Sequence, residues 1–302
     1  MLLIATLIVV PVLAFKFDPP LTPHQVALLK DIVLLMLGVG GVCFIVGEIT
    51  GNVSQVDKLW SIVPFVYCWV LTAKAGFDPR MVLMSVCATI WGARLTYNFS
   101  RHGGYSWKFW TGAEDYRWNH VRAKPELQGP VRWRVFHLGF ICLYQNALLL
   151  LMVLPILMAV DAPNPPGLAD GAIAALYVGL VVFETIADQQ QWNYQTEKKR
   201  QRAAGTLEGR YARGFIAEGL WSRSRHPNYF AEQSLWLVFF LFSVAATGRF
   251  NWTVAGCLLL MLLFQGSANL KESICTAKYP DYPDYLKRTP RFLPVGAAHG
   301  RD

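Results

Sequence analysis

The sequence predicts an all-α integral membrane protein, a bundle of seven membrane-spanning helices, on three observations. Charged residues make up only 16% of the 302-residue chain and hydrophobic ones 54%, against about 25% charged in an ordinary soluble domain. Seven apolar stretches, at roughly 27–49, 57–74, 81–100, 136–160, 170–190, 230–247 and 252–270, each reach the ~17–25 residues that cross a bilayer as a helix. Of the 28 Lys and Arg, 22 fall in three segments, 94–135, 191–229 and 271–302. With seven spans all three lie on one side, which the positive-inside rule makes the cytoplasm, so the C-terminus is expected there.

Ahead of the first span, Met1 to Phe15 is a short apolar stretch that ends at Lys16 before Pro19 and Pro20. It lacks the basic n-region and small-residue cleavage site of a signal peptide, so an extra short N-terminal hydrophobic helix is expected. With no internal repeat or low-complexity tract, the chain reads as one membrane domain, 1–302. Within it, 1–26 is an N-terminal extension, 27–294 the seven-helix core and 295–302 a tail.

The two large basic loops are not linkers. Trp107, Trp110, Trp118 and Trp133 lie in 101–135, and Tyr211, Phe215, Trp221 and Tyr229 lie in 205–229. Disordered segments are poor in aromatics, so a folded cytoplasmic cap of loops is expected over the helix ends.

Composition also excludes functions. The net charge of +8 follows from the positive-inside bias, and basic residues distributed between spans do not make a nucleic-acid surface. Of the six cysteines only Cys275 lies outside an apolar span, and no C-x-x-C pair occurs. No zinc site or disulfide framework is expected, and the thiols act as small hydrophobes.

Ionisable groups inside spans cost about 2.5–3.5 kcal/mol at mid-helix on insertion scales and usually face a cavity. Four stripes stand out at helical spacing: Arg94, Asn98 and Arg101; Glu184, Asp188, Gln191 and Gln195; Asn228 and Glu232; and Gln265, Asn269 and Glu272. All sit near the ends of spans that face the basic side. Either each caps its own helix end or snorkels to water, or the stripes converge on a polar ligand carrying negative charge. A Walker A sequence is absent. Gly38, Val39, Gly40 and Gly41 lie mid-span without a preceding strand, so they read as helix packing rather than a phosphate cradle. Phosphate recognition therefore falls to Arg and Lys, with Arg94, Arg101, Lys198, Lys199, Arg202, Arg223 and Arg225 as candidates.

The run from Gly219 to Glu232, G-L-W-S-R-S-R-H-P-N-Y-F-A-E, resembles a signature of bacterial membrane proteins that share the C-terminal domain of steroid 5α-reductases. Ala231 stands where that signature has Gly. Further blocks agree in order: Val56 to Ser61, Arg94 to Phe99, Glu114 to Trp118, and Tyr282 to Pro294. The wider superfamily includes sterol reductases, long-chain enoyl reductases and isoprenylcysteine-type methyltransferases.

This resemblance implies a seven-helix bundle in the bacterial cytoplasmic membrane, monomeric and free of metal. It implies NADPH in a cytosolic pocket and a steroid or other membrane-partitioned lipid in a cavity beneath. Hydride would pass to C5 of a 4-ene-3-oxosteroid while a protein acid polarises the 3-oxo group. It also implies that Asn228, Glu232 and Asp188 hold the cofactor's polar edges, and that Arg94, Asn98 and Arg101 contact its diphosphate. Asn193, Lys198, Lys199, Arg223, Arg225, His226, Tyr229 and Glu272 complete the cofactor-facing set, with loop packing an alternative for His226. The polarising acid follows a Gln in the family, which points to Gln55 and Asp57. Asp57 reads equally as a helix N-cap, and Tyr97 is the alternative donor. Two competing functions are a methyltransferase using S-adenosylmethionine, which needs no arginine-rich pocket, and a transporter, which would carry polar residues at mid-bilayer.

Overall fold

A computed structural model of the protein describes residues 15–295, apart from 109 and 113, together with 9 and 11–13. The expected N-terminal helix and the 295–302 tail lie largely outside the described residues. Helix is the only extended secondary structure among the described residues. The principal helices are α1 Pro23–Thr50, α2 Gln55–Leu59, α3 Val63–Lys74, α4 Pro79–Arg101, α5 Tyr116–Arg122, α6 Pro130–Ala159, α7 Leu168–Ala203, α8 Pro227–Thr247, α9 Val254–Lys278 and α10 Tyr282–Arg288. Five of them, α1, α6, α7, α8 and α9, are long and apolar enough to cross a membrane.

The other two expected spans differ from the sequence reading. The stretch 57–74 is not one helix: α2 ends at Leu59, and Pro64 opens the 12-residue α3. At 1.5 Å per residue α3 is about 18 Å long, short of the ~30 Å hydrocarbon core. Helix α4 has the length, at 23 residues, but it carries Arg80, Arg94 and Arg101 and is not among the five.

Two compact units divide the chain: unit 1, Met1–Tyr177 with Leu237–Leu260, and unit 2, Val178–Trp236 with Met261–Asp302.

In unit 1 the helix starts are set by local chemistry. Thr22 and Gln25 form a capping box at the head of α1, each side chain taking the other's backbone N–H at 3.1 Å. Asp78 caps α4 by accepting from Arg80 N and Met81 N, with Pro79 at the first helical position. Helix α6 is irregular inside: π-helical turns run over His137–Tyr144, and 3₁₀ turns over Leu154–Ala159 follow Pro155. The head of α9 packs against α6 at Gly256, where an added Cβ would lie 2.2 Å from Leu151 O, so only glycine fits.

Arg80, at 2% exposure, pairs with Asp170, at 3%, through Nε at 2.6 Å and Nη2 at 3.0 Å. Its remaining donors go to Asn164 O and Pro165 O. Every nitrogen of the guanidinium thereby has an acceptor, as a buried charge requires.

Unit 2 contains the end of α7, the 204–226 loop, the start of α8, the end of α9 and α10. Its aromatic loops are packed, as their composition predicts. Tyr194, Ile216 and Trp221 form one buried cluster, and Phe215, Tyr282 and Tyr285 another.

The Arg80–Asp170 pair generates a stability prediction. Asp170→Asn leaves a buried guanidinium without its counter-charge and is expected to cost about 3–5 kcal/mol. Thermal unfolding in detergent should show a large loss for the single variant and a smaller one for Arg80→Met with Asp170→Leu. Equal losses would mean that the charge pairing is not what matters.

Candidate functional site

The richest polar arrangement in unit 2 is built on Glu272, which is 6% exposed. Its Oε1 lies 3.0 Å from His226 Nε2 and 3.3 Å from Arg225 Nη1, and its Oε2 accepts from Arg291 Nη2 at 2.6 Å. Arg291 also donates to Asn269 Oδ1 at 2.8 Å and Gln265 Oε1 at 3.3 Å. The whole α9 stripe read from the sequence is thus gathered by one arginine.

That arginine is brought in by a backbone strap. Arg225 N and His226 N donate to Pro290 O and Arg291 O at 2.9 and 3.1 Å. Ser224 Oγ donates to Arg291 O and accepts from His226 N, both at 3.2 Å. Tyr285 closes the strap by donating from its hydroxyl to Trp221 O at 2.5 Å, and Trp221 Nε1 donates to Ala187 O at 3.0 Å on α7.

Beside this cluster, Asn228 Nδ2 donates to Asp188 Oδ1 at 3.1 Å, and Trp236 Nε1 donates to Glu232 Oε1 at 3.0 Å. The His226 ring stacks on Tyr229 at 5.1 Å and 13°. Lys271 Nζ sits 4.6 Å over the Tyr229 ring, within cation–π range. His226 therefore packs the loop, one of the two roles the sequence left open, and touches the Glu272 carboxylate.

Other predicted residues lie elsewhere. Lys198, 8% exposed, donates to Gly214 O at 2.7 Å between the Tyr194 and Tyr279 rings, an anchor for the 204–226 loop. Asn193 is exposed and accepts from Gln189 at 2.6 Å, and Lys199 and Arg223 are exposed.

Arg94, Asn98 and Arg101 belong to unit 1. Arg101 forks onto Asn98 Oδ1 at 2.9 and 2.6 Å and lies 5.6 Å over the Tyr97 ring, while Arg94 is half-buried. Tyr97 is 67% exposed, so its hydroxyl does not face the interior of this unit.

Gln55 and Asp57 stand on α2, under the loop from 101 to 122. Gln55 is committed, donating to Asn52 O and Trp110 O at 3.2 Å and accepting from Lys58 Nζ at 3.2 Å. Asp57 Oδ2 accepts from Trp118 Nε1 at 2.9 Å and does not cap its helix, whose N-cap position is Ser54. Sequence reasoning passed over Trp118 and Lys58. Lys58 is fully buried, with Nζ donating to Thr111 O at 2.9 Å. Glu114 and Asp115 fix the loop by accepting from Val53 N and donating to Ser54 Oγ, both at 3.0 Å. A lysine beside an aspartate at a helix start was the available signal.

These features define a polytopic helical membrane protein with a buried carboxylate–histidine–arginine cluster beneath a C-terminal strap. A family model described as "Protein of unknown function (DUF1295)" matches residues 43–289, and the chain belongs to that family. It is 37% identical over 286 residues, 90% of this chain and 80% of the relative, to a Schizosaccharomyces pombe protein described as "Uncharacterized protein C594.04c". No solved structure matches.

Burial pushes the His226 imidazole below the usual histidine range, aided by Lys271 and Arg225 and opposed by Glu272; Arg291 shares the same carboxylate. A base held neutral by the fold contributes stability that is complete above its unfolded pKa of about 6.5 and is lost as pH falls through it toward the folded value. Protection factors of the amides in the 290–294 strap, taken relative to the intrinsic exchange rate at each pH, should therefore fall between about pH 7 and about pH 5, and His226→Asn should flatten that dependence. An identical pH response in wild type and variant would assign the effect to another group.

Proposed function

We propose that this protein is an NADPH-dependent reductase of an activated C=C bond in an apolar, membrane-partitioned substrate, with a 4-ene-3-oxosteroid as the leading candidate. It would be a monomeric relative of the steroid 5α-reductases with seven spans in a bacterial cytoplasmic membrane and its C-terminus in the cytoplasm.

The observation that carries this reading is the S-R-H-P-N-Y segment, which joins the Glu272 cluster to the Asn228–Asp188 pair. Arg225 Nε is buried without a partner among the described residues, so one charged donor is open to an acceptor such as a phosphate oxygen. Asn228, Asp188 and Glu232 offer the amide and carboxylate edges that a ribose or carboxamide needs. These residues fit a dinucleotide. NADPH, when bound, supplies the hydride. The part of unit 2 is to hold the cofactor with Arg225, Asn228 and Asp188; the acid that the family resemblance points to for polarising the substrate carbonyl is Asp57. A proton must also reach the neighbouring carbon, which balances the reduction.

One observation favours a second reading, a methyltransferase using S-adenosylmethionine. Arg225 and Arg291 both touch Glu272, so much of their charge is already matched, and S-adenosylmethionine carries no phosphate.

Purified protein in nanodiscs, given progesterone or testosterone with NADPH, should consume reduced nicotinamide. Asn228→Ala should weaken NADPH binding by about tenfold, the worth of one charge-assisted hydrogen bond. Methyl transfer from labelled S-adenosylmethionine in a parallel reaction, with no nicotinamide oxidation, would overturn the reductase reading.

A further inference from the structure

One end of unit 1 holds a cavity of 290 Å³. A single water needs only about 10–15 Å³, and small-molecule sites begin at about 300 Å³, so the space suits an occupant of several heavy atoms. It opens between the starts of α1 and α4 and the segment joining α6 to α7, where His24, Asp78, Arg80, Asp161, Asn164 and Pro165 meet. The 101–122 loop that covers Asp57 leaves the opposite end of the 23-residue α4, about 35 Å along the helix. The cavity is no part of that region.

Its walls are pinned by backbone acceptors. Gln25 Nε2 donates to Val160 O at 2.9 Å, and Arg80 donates to Asn164 O and Pro165 O at 2.9 and 3.0 Å. Asn164 Nδ2 in turn donates to Ala245 O at 3.1 Å. The space is therefore preformed.

Several polar groups in those walls keep bonding capacity. Asp78 Oδ1 accepts from Arg80 N and Met81 N at 2.9 and 3.2 Å, and its Oδ2 accepts from nothing among the described residues. Asp161 accepts from Thr22 Oγ1 at 3.2 Å and lies 3.3 Å from His24 Nδ1, which fills two of a carboxylate's roughly four acceptor sites. Arg80, at 2% exposure, makes four hydrogen bonds with the five N–H groups of a guanidinium. One Nη1 hydrogen remains without an acceptor among the described residues.

Charge selects the occupant. Asp170 matches Arg80, so Asp78 and Asp161 give the cavity a negative charge that only His24, among the lining residues, is placed to offset. The occupant is thus a cation. No group of three His, Cys, Asp or Glu among the described residues could hold a metal ion, which leaves an organic cation. No aromatic ring lines the cavity, so the usual cage for a quaternary ammonium is missing. A primary ammonium suits carboxylates better, because its N–H groups make charge-assisted hydrogen bonds. The open Arg80 hydrogen asks for an oxygen on the same molecule.

We propose that this cavity binds a primary ammonium with a neighbouring oxygen, the chemistry of an ethanolamine group. Asp78 and Asp161 accept from the ammonium, and Arg80 Nη1 donates to the oxygen. A free amino alcohol and the headgroup of an aminophospholipid both present that group. The site is independent of the reductase reading.

The test uses the full-length protein in phosphatidylcholine nanodiscs with radiolabelled ethanolamine and choline. Parallel nanodiscs carry phosphatidylethanolamine as well, and native mass spectrometry counts the lipids that stay bound. Wild type should bind ethanolamine saturably and at least about tenfold more tightly than choline, or retain phosphatidylethanolamine over phosphatidylcholine. The first result identifies the free amine as the source, the second the headgroup. Asp78→Asn and Asp161→Asn should each weaken that binding by about tenfold, the scale of one charge-assisted hydrogen bond. Asparagine caps a helix about as well as aspartate, and it tolerates the positive φ of 55° at Asp161, so both variants should keep the wild-type melting temperature. A wild type with neither preference, as expected of a cavity holding water only, overturns the proposal. So do variants that bind the amine and the lipid as wild type does.

Discussion

A carboxylate enclosed among helices must be neutralised where it sits, and the arrangement of unit 2 depends on how Glu272 meets that demand. Losing one partner of a buried pair strands the other charge, at a cost of about 3–5 kcal/mol. Glu272 answers with three partners drawn from two segments: Arg225 and His226 ahead of α8, and Arg291 beyond α10. The segment after α10 therefore has to return, and its backbone return is the pairing of residues 224–226 with Pro290 and Arg291. Tyr285 and Trp221 then follow into place. One buried acid fixes the return of Pro290 and Arg291 to the 224–226 segment more than any local propensity there.

The same constraint operates independently in unit 1, and it separates structural polarity from functional polarity. Arg80 with Asp170 sets every guanidinium nitrogen on carboxylate or carbonyl oxygens. Lys58 is sealed off, with its ammonium on Thr111 O and Gln55. Such groups hold loops to helix ends and have little capacity left for a ligand. Capacity resides where valence is unfilled among the described residues, as at Arg225 Nε in unit 2. Counting unused donors and acceptors locates candidate sites better than counting charges, because in a poorly hydrated interior a charge already matched is inert.

What the sequence made legible was whatever helix geometry alone determines. Gln265, Asn269 and Glu272 share a face because α9 is helical, and Arg291 does bind all three. Asp188 and Asn228 were likewise named from spacing, and they meet at 3.1 Å. The broken second span was not legible, since Trp60 and Ile62 are apolar and a hydropathy window passes over the turn they form. Nor was the exposure of Tyr97, because a helix in lipid is apolar on its outer face as well as its inner one, and periodicity loses its contrast. Partners far apart along the chain, such as Asp57 with Trp118 or Arg80 with Asp170, are fixed by loop paths that no local pattern encodes.

The charge remaining once Glu272 is satisfied bears directly on which cofactor suits unit 2. Two arginines against one carboxylate leave about one positive charge, with His226 held neutral by its burial. Lys271, over the Tyr229 ring, brings a second cation into the neighbourhood. A diphosphate carries about two negative charges and a 2′-phosphate nearly two more, so this cluster by itself balances one phosphate group of a dinucleotide or part of a diphosphate. A sulfonium cofactor reverses the demand, because its own positive charge would be repelled by the surplus at Arg225 and drawn instead toward Asp188 and Glu232. The S-R-H-P-N-Y segment thus offers two electrostatically distinct ends, a cationic one at Arg225 and Lys271 and an acidic one at Asp188 and Glu232. A ligand spanning both would place a phosphate at the first and hydroxyl or amide donors at the second, which is what the proposed reductase reading asks of its nucleotide.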